Sequence, residues 1–194
     1  MDSLEQIRTD ILEQLHCPLK DAATNLVFGK GNPHATILII GEAPGAKEDQ
    51  AGEPFVGRAG KELDALLGHI GLSVQEVYIA NILKYRPPKN ANPTVEQMRN
   101  HTPYLLRQID CIKPKIIVTL GNFATKFVLS GFDVSNMKNI DTISKIHGQK
   151  HQILIHKKTY LVFPQYHPAA LLYNPKLREI VKEDFLNMRS FTIQ

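Results

Sequence analysis

Four residues of this chain carry groups that could act together: Glu42, Phe55, Asn81 and His167. A planar amide such as Asn81 offers one acceptor and two donors, so it can read the edge of a flat partner. Phe55 offers an apolar face for stacking. A neutral imidazole, His167, can donate to an oxygen that gains negative charge. Glu42 can orient or deprotonate a water. Together they fit a flat heterocycle cut from its sugar by water. None is specific alone: a lone strand Asn is more often a satisfied core amide, and His-Pro in a loop is usually a turn.

The elements that must position them follow from the pattern. Gly41 to Gly60 reads GEAPGAKEDQAGEPFVGRAG. Its glycines and prolines forbid a long helix or strand and suit a shaped loop. The loop holds Glu42, Glu48, Asp49 and Glu53 around Phe55. Before it, Thr36 to Ile40 is a β-branched run expected to be a strand buried on both faces. After it, Leu63, Leu66, Leu67 and Ile70 give a helix starting near Lys61 one apolar face. Val77 to Leu83 and Lys115 to Leu120 are two more buried strands. His151 to Ile155 and Thr159 to Pro164 form a hairpin around Lys157-Lys158, whose second arm is the fourth core strand. Amphipathic helices are expected at 3–15, from Thr94 to about Cys111, and at the C-terminus; Ser3 with Gln6 and Thr94 with Gln97 are capping boxes. Residues 24–34 read as irregular.

Strands alternating with helices predict an α/β fold, three layers α/β/α around a central four-stranded, mainly parallel sheet, in one domain over residues 1–194. Ligands of such sheets sit outside the carboxyl ends of the strands. Topology alone therefore gathers Glu42, Phe55, Asn81 and His167 around one crevice.

The bulk numbers exclude little. With 23 Lys plus Arg against 19 Asp plus Glu, the net charge is +4, a mild lean towards polyanions. Two cysteines, Cys17 and Cys111, give no disulfide framework and point to a reducing compartment, the cytoplasm. The first residues are unlike a signal peptide. No apolar run approaches the roughly 20 residues that span a bilayer, so no membrane is expected.

Several ordered blocks resemble the uracil-DNA glycosylase superfamily, most of all the branch called family 4. They are TNLVFGKGNP (24–33), GEAPG with EPFVGRAGKELDALL (41–67), VYIANILKYRPPKNANPT (77–94), KPKIIVTLGNFA (113–124) and YHPAALLYNP (166–175). The resemblance implies a monofunctional repair enzyme that flips uracil out of DNA, hydrolyses its N-glycosidic bond and leaves an abasic site. It implies that Glu42 and Ala43 occupy the motif placing the hydrolytic water. The acid that most members carry one residue after this Glu is Ala43 here, so Glu42, together with Glu48, takes the water role. Phe55 corresponds to the residue stacking on uracil, Asn81 to the amide reading N3–H and O4, and His167 to the donor to O2. Leu171, Leu172 or Tyr173 would wedge into the vacated base stack. Arg58, Lys84, Arg86 and Lys89 would meet phosphates. The partner implied is uracil-containing DNA, single or double stranded, bound by a monomer.

The departure from the family concerns its iron–sulfur cluster, which needs four thiolates or close substitutes. Of the four cluster positions only Cys17 is a cysteine; Gln14, Tyr85 and His101 fill the others. No cluster, no other cofactor and no metal are expected, with packing around Tyr85 and His101 in the cluster's place. Three alternatives stand beside uracil excision. One is a glycosylase for hypoxanthine or xanthine. Another is a non-catalytic DNA-binding relative. The third is a nucleotide-binding α/β protein, against which the missing P-loop Lys-Ser/Thr counts.

Overall fold

Five apolar residues in a row, Ile37–Gly41, form a strand with every position buried, because both of its faces are covered. In the computed structural model, which describes residues 2–191, this strand lies near the middle of a six-stranded sheet. In chain order the elements are α1 (Leu4–Gln14), α2 (Pro18–Ala22), β1 (Lys30–Gly31), β2 (Ile37–Gly41), α3 (Ala46–Ala51), α4 (Arg58–His69), β3 (Val77–Asn81) and α5 (Val95–Ile112). The second half continues with β4 (Ile116–Leu120), α6 (Gly121–Leu129), α7 (Ile143–Ile146), β5 (His151–Ile155), β6 (Lys158–Gln165), α8 (Pro168–Tyr173) and α9 (Leu177–Ser190).

The strand order is β1-β3-β2-β4-β6-β5. The inner four run parallel, and the outer two pair antiparallel at the edges. The expected four-stranded core is therefore present, but the sheet is wider by two strands. β1 hides in the stretch read as irregular because it is two residues long, one of them Gly31 at φ +108. β5 is the first arm of the expected hairpin, turned at His156 and Lys157, both with positive φ.

Alternation along the strands sorts the core into two layers of packing. Leu38, Ile40 and Ile117 face α1, α5 and α6, meeting Ile7, Ile11, Leu105, Ile109 and Phe127. Ile37, Ile39, Val118 and Phe163 face α4 and α9, meeting Leu63, Leu67, Val181 and Phe185. Each such buried aliphatic contributes about 1.5–3 kcal/mol relative to exposure. The result is the expected three-layer α/β/α arrangement.

Helix boundaries follow local chemistry. Thr94 accepts from Gln97 N and Gln97 Oε1 accepts from Thr94 N, a complete capping box for α5. At α1 only half of the box forms: Ser3 accepts from Gln6 N, while the Gln6 side chain donates to Asp10. The glycine loop contains one short helix, α3, ended by Gly52 at φ +71, and α4 begins at Arg58, three residues before Lys61.

Candidate active site

The carboxyl ends of the four parallel strands share one edge. Gly41 of β2 pairs with Asn81 of β3, and Leu120 of β4 pairs with Gln165 of β6, two residues before His167. The main chain continues this contact past the ladder, Ile82 N donating to Gly41 O at 3.0 Å and Leu83 N to Glu42 O at 3.1 Å. A cleft of about 370 Å³ opens there, lined by Ala43, Gly45, Glu48, Phe55, Asn81, Asn90 and His167 among others. An adjoining hollow of about 270 Å³ adds Glu42 and Pro87. A larger hollow, about 590 Å³, lies by β1 between Lys30, Glu53 and Gln75, away from Asn81 and His167.

Phe55 is held in an unusual backbone state. Its φ is +53, a left-handed conformation that costs an aromatic residue about 1–2 kcal/mol. Glu48 offsets that cost: its Oε1 accepts from Val56 N at 3.0 Å and Gly57 N at 2.8 Å. Lys30 Nζ donates to the Phe55 carbonyl at 3.3 Å. A Cβ on Gly60 would lie 2.0 Å from that carbonyl, so α4 can start here only with glycine at this position. Strain kept this way is commonly found where a side chain must be aimed. Below the loop, Asp49 accepts from Thr24 N and Asn25 N, tying residues 24–25 to α3.

Asn81 is 2% exposed, and its Oδ1 is buried without a hydrogen-bond partner. An orphaned acceptor of this kind costs about 1–3 kcal/mol. A donor arriving with a ligand removes the cost. The uncommitted Oδ1 thus offers an acceptor to a donor on the edge of a flat partner. A Cβ on Gly41 would meet Oδ1 at 2.3 Å and the Phe55 ring at 3.0 Å, so glycine there lets amide and ring close on one spot.

His167 Nδ1 accepts from Ala169 N at 3.1 Å at the start of α8. A neutral ring must then carry its proton on Nε2, as a donor. Burial pushes this imidazole below its ordinary range, with Glu48 partly opposing, which favours the neutral form. Its ring stacks on Phe55, centroids 5.8 Å apart. Gly121, at φ +88, gives way to it, since a Cβ there would stand 3.1 Å from His167 Cβ. Burial pushes the Glu42 carboxyl above its ordinary range.

The structure thus brings Glu42, Ala43, Glu48, Phe55, Asn81 and His167 together around adjoining hollows. Two expected DNA contacts are corrected. Lys84 is 0% exposed and spends its amino group inside the protein, on Asn81 O and Gln108 Oε1, so it reaches no phosphate. Leu171 is 1% exposed because α8 turns it into the core beside α4, so it is no wedge. Leu172 is half-buried, and Tyr173 is 87% exposed. Arg58 and Lys89 are exposed; Arg86 is half-buried and donates to Asn90 Oδ1. Sequence reasoning passed over Gln108 and Gln165. Gln165 is a buried amide with no partner for either side-chain atom. Its signal, a polar residue at a strand's carboxyl end, was the same as that of Asn81.

The four positions implied for an iron–sulfur cluster do not fit one. Gln14 is exposed and donates to Asp10 at 3.2 Å. His101 is buried with both nitrogens engaged, Nδ1 accepting from Lys84 N at 3.0 Å and Nε2 lying 3.5 Å from Cys17 Sγ. Tyr85 packs edge-on against the same imidazole. A single thiol in a filled space cannot supply four thiolates. Among the described residues, no three His, Cys, Asp or Glu side chains group closely enough to hold a metal ion.

A model of the uracil DNA glycosylase superfamily matches residues 28–188. The chain is 45% identical over 194 residues to the type-4 uracil-DNA glycosylase of Sulfurisphaera tokodaii, spanning 100% of this chain and 86% of that protein. It is 45% identical over 185 residues to the type-4 uracil-DNA glycosylase of Archaeoglobus fulgidus, 95% of this chain and 91% of that one. The corresponding Thermotoga maritima protein is 43% identical over 177 residues, 90% and 87% of the two chains.

Proposed function

The chain belongs to the uracil DNA glycosylase superfamily, and from that membership we propose that it excises uracil from DNA by hydrolysis, leaving an abasic site. The observation that carries this reading is the unpartnered Asn81 Oδ1, buried beside the Phe55 ring in a cleft shared with His167. Uracil presents N3–H as a donor and O4 as an acceptor on one edge, the complement of an Asn amide.

A base inside a duplex is out of reach, so the nucleotide must rotate out, at a cost of a few kcal/mol. Tyr173 and Leu172, at the exposed end of α8, fill the gap and offset that cost. The base lies against Phe55 with its edge on Asn81. As the N-glycosidic bond breaks, its electron pair stays on the base and charge collects on O2. His167 Nε2–H donates to that oxygen. Glu42 orients the water that adds to the sugar carbon and accepts its proton. Glu48 holds the loop and supplies the second carboxylate of the site. The proton acceptor of this step is the chain's own Glu42.

Arg58, Arg86 and Lys89 meet the phosphates, so affinity falls as salt rises. The form proposed to act is a cytoplasmic monomer. Separately, the described residues include no helix long and apolar enough to cross a membrane. The test is incubation with duplexes carrying uracil, hypoxanthine or xanthine, followed by alkaline cleavage of abasic sites. Strand scission at uracil alone is expected. Scission only at hypoxanthine or xanthine, or at none of the three, would overturn the reading.

A further inference from the structure

Among the described residues Lys84 is the one fully buried lysine, and its environment is odd. Lysine is seldom fully buried unless paired with an acid. Here none of the ion pairs found among the described residues includes it. Its Nζ donates instead to two neutral oxygens, the main-chain carbonyl of Asn81 at 2.8 Å and Gln108 Oε1 at 2.6 Å. Two acceptors match the two N–H bonds of a neutral amine. Burial holds the group down to about 7, which brings that neutral form within reach.

The rest of the residue is wired as tightly. Lys84 N donates to His101 Nδ1, and Lys84 O accepts from Val27 N at 2.9 Å. Gln108 Nε2 donates to Phe28 O at 3.1 Å. Because His101 Nδ1 accepts, its proton sits on Nε2, next to Cys17 Sγ at 3.5 Å. Helix α5 supplies both His101 and Gln108, so a rigid element braces Lys84 from two points. The chain of contacts ends on the last residue of β3, whose side chain borders the cleft.

We propose that Lys84 is a positioning residue for excision: its amine ties the Asn81 peptide to helix α5, while its backbone is tied to the His101–Cys17 pair. The proposal rests on the assignment of Asn81 as the base-reading amide. An apolar side chain of equal volume would fill this space without burying a polar amino group. The donor at the end of the long Lys84 side chain is what meets the Asn81 carbonyl, at 2.8 Å. Released from that tether, the peptide shifts and the amide moves with it. A displacement near 1 Å at a reacting site costs about 10²-fold in rate.

The experiment compares wild type with Lys84→Met and Gln108→Met. Three quantities are read: the single-turnover release of uracil per folded molecule, the Kd for uracil-containing duplex, and the ¹⁵N resonance of the Asn81 side-chain amide in the free protein. Lys84→Met should slow release about 10²-fold, leave Kd near the wild-type value and split or broaden the Asn81 resonance. Gln108→Met should move rate and resonance in the same direction. A lysine that merely fills space would lower the melting temperature and leave release per folded molecule intact. A folded Lys84→Met protein with wild-type release and an unchanged Asn81 resonance overturns the proposal. Should that variant not fold, Gln108→Met decides by the same two readings. Should wild type release no uracil, the excision reading fails, and the resonance alone decides whether Lys84 positions Asn81.

Discussion

Gly41 and Asn81 face each other as the last paired residues of β2 and β3, and a Cβ built on Gly41 would stand 2.3 Å from Asn81 Oδ1. The same Cβ would press on the Phe55 ring at 3.0 Å. One missing side chain therefore gives room to both the reading amide and the stacking face. Gly41→Ala should displace the two together and slow excision about 10²-fold or more. Gel-shift affinity for duplex DNA should change little. Normal turnover in this variant would mean that the cleft is not where the base sits.

Asn81→Ala and His167→Ala should each retain DNA binding and lose most excision. Removing one well-aimed donor in such a site typically costs about 10²–10³ in rate. Single-turnover release from a uracil duplex is the measurement, with affinity as the control. Wild-type rates in both variants would remove these two residues from the site.

The two acids separate by a different comparison. Glu48 accepts from Val56 N and Gly57 N, so Glu48→Ala strands two donors beside a strained Phe55 and should cost about 2–4 kcal/mol. Glu48→Gln keeps an oxygen for them and should recover most of the melting temperature. Glu42 makes no such bonds to the loop, so Glu42→Gln should lower the excision rate without a thermal penalty. Burial raises the Glu42 carboxyl, and the carboxylate is the form that accepts the proton from water. The acid limb of the rate profile should therefore lie above the usual carboxylate range, and it should disappear in Glu42→Gln.

His101 makes stability depend on pH. Burial is the main cause that holds it down to about 3 in the folded protein, from an ordinary 6.5. Between those values the unfolded chain binds a proton that the folded chain does not, so stability falls as pH falls below 6.5. The slope approaches roughly 1.4 kcal/mol per pH unit from this group alone. Calorimetry of wild type and His101→Gln from pH 7 to pH 4 should show a steeper loss in wild type. Parallel curves would contradict it. Tyr85→Ala, which removes the ring against His101, should cost about 3–5 kcal/mol at any pH in this range.

Tyr173, exposed at the end of α8, should matter only once a duplex must be opened. Tyr173→Ala should reduce excision from duplex more than from single-stranded DNA. A fluorescent base analogue next to the uracil would report the flip directly, and an unchanged signal would count against the wedge.

Much of this was legible in the sequence because burial on both faces leaves a plain trace. Ile37 to Ile40 and Ile116 to Leu120 could hardly be anything but inner strands, and their order along the chain put Asn81 and His167 at one edge. What escaped is what tertiary contacts decide. Lys84 carries a charge, and charge by itself argues for the surface; its burial depends on Gln108, 24 residues on. Leu171 sits in a run of apolar residues whose facing is set by the six-residue helix α8, too short to show a period. β1 joins the sheet through its backbone and leaves no hydrophobic alternation at all.

The tight turn at His156 and Lys157 stands at the start of β6, while the cleft lies at its finish. The eight residues of β6 hold the two apart by about 23 Å at roughly 3.3 Å per step. Lys157, exposed and already in a glycine-like backbone state, is thus a ready tether. A dye, surface linker or fused reporter attached there would leave the path of an incoming nucleic acid clear.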